Sequence, residues 1–171
     1  MKILAFDIGG TKIAYALTDE KGNLLSEVEK TLTPTTAAKI ENLIQTASRQ
    51  HKADGLAIAT AGVVFNNHLS GKPNNLPADY EKIDFTALTG LPYLMANDAN
   101  AAAWAEYKRG ALQGYKHCAL LTLGTDVGCG LILNGALYIG QGGAAGEVSF
   151  AASGTTLAHL AEQNGLNERD C

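Results

Sequence analysis

Residue type and spacing point to chemistry at a few places in this 171-residue chain. The first is Asp7-Ile8-Gly9-Gly10-Thr11-Lys12, set between two apolar runs and therefore read as a hairpin turn. Adjacent glycines let backbone N–H groups approach a bulky anion with no Cβ in the way. Thr11 adds a hydroxyl donor and Lys12 a positive charge, and Asp7 at the strand end is placed to hold a Mg2+-bound water. The spacing is not G-x-x-x-x-G-K-[ST], so the P-loop mechanism does not transfer. An ordinary Gly-Gly turn is the alternative.

A second glycine cluster, Leu123-Gly124-Thr125-Asp126-Val127-Gly128-Cys129-Gly130, occupies the same place after a later apolar run. Two such turns facing each other could clamp one polyphosphate between two domains. The third feature is Asn97-Asp98-Ala99-Asn100, at a strand end and a helix start. Asp98 is either a helix N-cap or, at the carboxyl end of a parallel strand where ligands gather, a base for a substrate hydroxyl. Lys72-Pro73-Asn74-Asn75-Leu76-Pro77 offers amides that donate and accept together, which suits sugar hydroxyls, or it is a solvated loop. Gly142-Gly143-Ala144-Ala145-Gly146-Glu147 ends a small-residue segment on one acid, a plausible acceptor from a sugar hydroxyl.

The rest of the composition narrows the class. Formal net charge is −4 and no basic stripe is visible, which argues against nucleic acid as a partner. No apolar run reaches membrane-spanning length, and Met1 to Asp7 reads as a first strand rather than a signal peptide. Cys118, Cys129 and Cys171 are scattered with no C-x-x-C, so they imply neither a zinc site nor a disulfide framework but thiols in a reducing cytoplasm. The four histidines lack metal-ligand spacing.

The elements that must position these residues follow from periodicity. Ile3 to Ile8, Ile13 to Thr18 and Leu24 to Leu32 predict a three-stranded antiparallel meander. A helix follows Thr33-Pro34-Thr35-Thr36, with Ala38, Ile40, Leu43, Ile44 and Ala47 as its apolar stripe. Gly55 to Thr60 is a strand, Asn66 to Asp79 a polar turn-rich stretch, and Phe85 to Leu88 a short helix ending at Gly90. Leu91 to Ala96 is a strand and Ala99 to Arg109 a helix. A second cycle gives strands at Cys118 to Leu123, Gly130 to Asn134 and Ala136 to Gly140, turned by Asn134-Gly135, then a helix at Thr155 to Glu162. The order βββ-α-β-α-β-α predicts an α/β layer on a mixed sheet, partly repeated.

Taken in order, D-I-G-G-T-K, A-T-A-G-V-V at Ala59 to Val64, P-N-N-L-P, N-D-A-N-A-A-A-W-A-E at Asn97 to Glu106, L-G-T-D-V-G-C-G and G-G-A-A-G-E resemble the ROK family of sugar kinases and related repressors. The resemblance covers the whole chain and has the flavour of N-acetylmannosamine kinases and glucokinases. It implies an actin-like ATPase, ribonuclease-H-like fold with a mixed five-stranded sheet, residues 1–112 forming the first domain and 113–171 an incomplete second copy. It implies Asp98 as catalytic base. It assigns the sugar to Asn74 or Asn75, Asn97, Asp98 and Glu147, and the ATP phosphates to Gly9, Gly10, Thr11, Lys12, Gly124 and Thr125. Phosphorylation at O6 of a hexose or N-acetylhexosamine, ATP and Mg2+ as required partners, and a homodimer or a completing chain follow from the same resemblance. The lack of a helix-turn-helix before Met1 favours the kinase branch.

Three departures shape the expectation. The family continues Gly-Glu-x-Gly-His into a cysteine-rich zinc motif, whereas Glu147 is followed by Val148-Ser149-Phe150, so no zinc is expected. Asp126 and Cys129 stand where glycines are usual, and a carboxylate there repels phosphates unless it faces Mg2+ or solvent. The family's chains are longer, which predicts apolar strand faces left exposed in this chain, as in a fragment, a truncated product or a subunit completed by another chain. A truncated, non-catalytic sugar-binding protein is the competing reading.

Overall fold

The structure is a computed structural model that describes residues 1–124 and 127–148. It divides into two compact units, Met1–Asp98 and Ala99–Cys171. Thr125, Asp126 and the helix expected at Thr155 to Glu162 lie outside the described residues.

The first unit carries β1 (Lys2–Ile8), β2 (Lys12–Asp19), β3 (Glu29–Leu32), α1 (Ala37–His51), β4 (Gly55–Thr60), β5 (Val64–Phe65), β6 (His68–Leu69), α2 (Phe85–Thr89) and β7 (Tyr93–Asn97). Five of the strands form one mixed sheet in the order β3-β2-β1-β4-β7. The β1–β2 and β2–β3 pairs are antiparallel, while β1–β4 and β4–β7 are parallel. The α/β class and the mixed five-stranded sheet match the expectation.

Alternation explains which face is buried. Leu4, Phe6 and Ile8 on β1 pair with Leu17, Tyr15 and Ile13 on β2 and with Leu56, Ile58 and Thr60 on β4. All of these except Thr60, which is a buried polar residue, and Tyr15, which packs against the cluster, form one core with Ile40, Ile44 and Ala47 of α1 and with Tyr80 and Phe85. Ile40 and Ile44 are fully buried, each contributing about 1.5–3 kcal/mol. The opposite sheet face is built from small residues, Ala5, Ala14, Ala16, Ala57 and Ala59, in register with one another or with Asp7. Ala38, expected on the buried stripe of α1, is exposed instead, and Ser48 takes a place in that stripe with its hydroxyl donating to the Ile44 carbonyl at 2.6 Å.

The third strand is shorter than its sequence suggests. Only Glu29–Leu32 forms a continuous strand, while Leu24 makes an isolated bridge to Thr18 and Leu24, Leu25 and Val28 stay 61%, 51% and 47% exposed. In the intervening stretch the Ser26 hydroxyl accepts from the Leu17 N–H at 2.9 Å, replacing a ladder bond. The polar stretch from Asn66 also holds more order than expected. Asn66 and Asn67 have left-handed φ of 51° and 66° and turn the small β5–β6 hairpin. The Asn67 side chain then acts as a surrogate strand along β7. Its Oδ1 accepts from Met95 N–H at 2.6 Å and its Nδ2 donates to the Tyr93 carbonyl at 3.1 Å, which satisfies an edge that would otherwise invite pairing.

The second unit contains α3, which runs Asp98–Arg109 from the last residue of the first unit, and β8 (Cys118–Leu123), β9 (Val127–Leu133) and β10 (Ala136–Tyr138). The sheet is antiparallel in the order β10-β9-β8. Asn134 and Gly135, at φ 54° and 77°, make the tight turn their sequence predicts. The third strand of this cycle ends at Tyr138 rather than Gly140. More consequential, β9 begins at Val127 rather than at Gly130, so Gly128 joins the strand instead of the turn and Gly130 lies inside it. They are glycines because α3 packs directly on them. A Cβ on Gly128 would sit 2.7 Å from Ala99 Cβ, and one on Gly130 would sit 2.6 Å from the Ala99 carbonyl.

Candidate functional site

Parallel pairing of β1, β4 and β7 sets their carboxyl ends side by side, with Ile8 opposite Thr60 and Thr60 opposite Asn97. Three connections therefore leave the sheet along one edge: the Gly9-Gly10-Thr11 turn after β1, Ala61-Gly62 after β4, and Asp98 after β7. This is the edge at which open α/β sheets bind ligands.

The turn is closed by Gly9 N–H donating to the Lys12 carbonyl at 3.0 Å. It is braced from behind by Thr33, whose hydroxyl donates to the Gly9 carbonyl at 2.6 Å and whose N–H donates to the Thr11 carbonyl at 3.0 Å. Gly10, Thr11 and Lys12 stay exposed. A braced turn with an outward-facing hydroxyl and ammonium is suited to a phosphate chain.

Asp7 stands just before this turn, on the small-residue face of β1. It is exposed by surface area, yet the chain around it removes enough water to raise its pKa. Repulsion from the Asp98 carboxylate raises it further, and Lys12 offsets part of the rise. Asp98 is half-buried as the first residue of α3, where the helix dipole stabilises negative charge. The preceding Asn97 is buried, and its Nδ2 donates to the Gly62 carbonyl at 3.1 Å.

Gly62 has φ 99°, a value that favours glycine, and a Cβ there would meet Pro73 Cγ at 3.0 Å. Pro73 opens the loop bearing Asn74 and Asn75, both exposed. Leu76 closes that loop by burial, and Tyr80 N–H donates to the Pro77 carbonyl at 3.2 Å. The Tyr80 ring is fully buried with its hydroxyl 3.0 Å from the Thr60 hydroxyl, and burial pushes its pKa up to about 12. Asn75 lies directly over Gly10.

Asp7, Gly9, Gly10, Thr11, Lys12, Asn74, Asn75, Asn97 and Asp98 are thus gathered in the first unit. Gly124 and Glu147 belong to the second, and Thr125 lies outside the described residues. Gly124 is in the bend after β8. Glu147 is half-buried and follows Gly146, whose φ of 90° seats the backbone against the Cys129 carbonyl. Burial raises the Cys129 pKa, away from reactive thiolate behaviour. Among the described residues no group of three or more His, Cys, Asp or Glu side chains is arranged to hold a metal. An open depression of about 310 Å³ lined by Thr31, Pro34, Lys39, Asn42, Leu43 and Thr46 lies on the β3–α1 side and contains none of the candidate residues.

Reasoning from the sequence overlooked Thr60, Gly62, Pro73 and Tyr80 as the frame of this site. A glycine two residues past a buried strand was the available signal for Gly62. Thr60 and Tyr80 are twenty residues apart with no pattern linking them.

The chain matches the sequence profile of the ROK family over residues 3–158. It is 38% identical over 156 residues to a glucokinase of Streptomyces coelicolor, covering 84% of this chain and 47% of the relative. It is 40% identical over 163 residues to an N-acetylmannosamine kinase of Yersinia pestis, covering 89% of this chain and 54% of the relative. The crystal structure of a ROK family glucokinase from Streptomyces griseus, in complex with glucose and AMPPNP, superposes with a TM-score of 0.71 at 36% identity, covering 86% of this chain and 49% of that one. The chain spans about half the length of these relatives. No helix among the described residues is long and apolar enough to cross a membrane.

Proposed function

The chain belongs to the ROK family, and from that premise we propose that it carries the sugar- and phosphate-binding residues of a cytoplasmic, ATP-dependent sugar kinase. The reaction is transfer of the γ-phosphate to the 6-hydroxyl of a hexose or N-acetylhexosamine, with glucose and N-acetylmannosamine the leading substrates. Residues 1–112 are read as the binding domain and 113–171 as the start of its structural repeat. What carries the reading is the convergence at one sheet edge of the Gly9–Lys12 turn, the Asn74-Asn75 loop and Asp98.

Each group then has a task. Asn74, Asn75 and Asn97 hydrogen-bond sugar hydroxyls, the task that the family resemblance also gives Glu147. Gly9, Gly10, Thr11 and Lys12 hold the phosphates, the task that the resemblance also gives Gly124 and Thr125. The Asp98 carboxylate takes the proton of the 6-hydroxyl as that oxygen attacks the γ-phosphorus, and the bond to the β-phosphate breaks to release ADP. A divalent cation fits beside Asp7, because two carboxylates that repel each other are relieved by positive charge and Mg2+ takes most of its remaining ligands from phosphate and water. Bound there through Asp7, Mg2+ supplies neutralisation of phosphate charge.

The test is ADP release from Mg-ATP over a panel of hexoses and N-acetylhexosamines, with sugar binding followed by calorimetry. Asp98→Ala should lower kcat on the order of 100-fold or more while sugar still binds. Turnover within a few-fold of wild type would remove Asp98 from the base role. Sugar binding with no wild-type turnover would identify a binding protein.

A further inference from the structure

The Asn74-Asn75 loop is fastened at both ends and rests in the middle on the glycine turn. Pro73 is seated on Gly62 at one end, and Leu76 is buried at the other. Between them, a Cβ placed on Gly10 would lie 2.6 Å from Asn75 Cβ and 2.7 Å from the Asn75 carbonyl oxygen, closer than side chains approach. The φ of Gly10 is not in the left-handed region, so the turn's own backbone does not require glycine there. Asn75 does. By contrast, a Cβ on Gly9 would meet only the Lys12 carbonyl, at 3.2 Å.

We infer that Gly10 is a positioning residue for the substrate loop, and that the Gly9–Lys12 turn and the Asn74-Asn75 loop form one steric unit. An anion that orders the turn orders Asn75 through a contact with no intervening flexible side chain. The second ligand then meets a loop whose freedom is already reduced, so the two ligands favour each other. The identity of those ligands rests on the kinase reading, but the contact does not.

Two measurements decide it. In the first, sugar affinity is measured by calorimetry with no nucleotide present. Gly10→Ala should weaken it at least about 10-fold, within the range of couplings between sites. Gly142→Ala, where an added Cβ would meet nothing within 4 Å among the described residues, should leave it unchanged. A turn that serves phosphate alone predicts unaltered sugar affinity in Gly10→Ala, and that result overturns the inference. In the second, amide exchange across residues 71–77 of the wild-type chain is followed with and without inorganic tripolyphosphate, which needs no variant to fold. Slower exchange in that loop supports the inference. Unchanged exchange with tripolyphosphate bound, or no tripolyphosphate binding, overturns it. A wild-type chain that binds none of the sugars defeats the kinase reading, and the exchange measurement still decides the coupling.

Discussion

Asp7 is a single side chain whose charge opposes stability, a cost consistent with the Mg2+-binding role proposed for it. Desolvation and the neighbouring Asp98 hold its pKa above 3.8, so the native state binds this proton more tightly than the unfolded chain does. Stability must then fall as pH rises from about 3.8 through the raised value, and the cost persists at neutral pH. Asp7→Asn removes the charge and nearly keeps the shape. It should raise the melting temperature of the ligand-free chain at pH 7, with the gain vanishing near pH 3 where the carboxyl is protonated in both states. The same variant should weaken Mg-ATP binding. A lower melting temperature at pH 7 would show that attraction to Lys12 outweighs both desolvation and Asp98 at Asp7. Tyr80 serves the opposite end. Its buried hydroxyl bonds Thr60 while Thr60 donates to the Ala61 carbonyl at 3.2 Å, so Tyr80→Phe should cost about 1 kcal/mol in urea unfolding and leave the loop in place.

At the scale of elements, the glycines of β9 make the sharper prediction. Gly128 and Gly130 allow α3 to lie on the strand at Ala99 and Ala103. Gly130→Ala should destabilise the chain by about 1–3 kcal/mol through overpacking, whereas Gly142→Ala, whose added Cβ would meet nothing within 4 Å among the described residues, should be close to neutral in the same denaturation series. These two glycines also mark where the sequence is hard to read. A Gly-rich run after an apolar strand looks alike whether it turns the chain or admits a helix, and only the tertiary partner separates the cases. β1, β2 and β4 are legible because their apolar runs are long and are interrupted by Gly9-Gly10, Asp19 to Asn23 and Ala61-Gly62. The long version of β3 is not, since alternation in Leu24 to Val28 has no facing core to bury it. For the candidate site, the motifs are local and therefore readable. The Gly62–Pro73 and Gly10–Asn75 contacts join residues far apart in sequence, and the β5–β6 hairpin hides in a stretch whose polarity suggests only a loop.

For the molecule as a whole, the second sheet raises a question of covering. Leu121 on β8, Leu133 on β9 and Tyr138 on β10 are 50%, 40% and 48% exposed. Their pairings put them on one face, since Leu121 is opposite Cys129, Leu133 opposite Ala136 and Tyr138 opposite Leu131. The other face is the one on which α3 packs through Gly128 and Gly130. Exposed apolar side chains sharing one sheet face are sticky in water, and a net charge of only −4 gives little repulsion between copies. The 171-residue chain should therefore self-associate at micromolar concentration and enhance the fluorescence of a dye that binds apolar surface. Leu121→Ser combined with Tyr138→Ser should reduce both signals in sedimentation and dye titration while leaving the first unit's core untouched. A wild-type chain that sediments as a monomer and binds no dye would instead place these side chains among the scattered surface apolar residues that soluble proteins tolerate. The face would then carry no demand for a covering element.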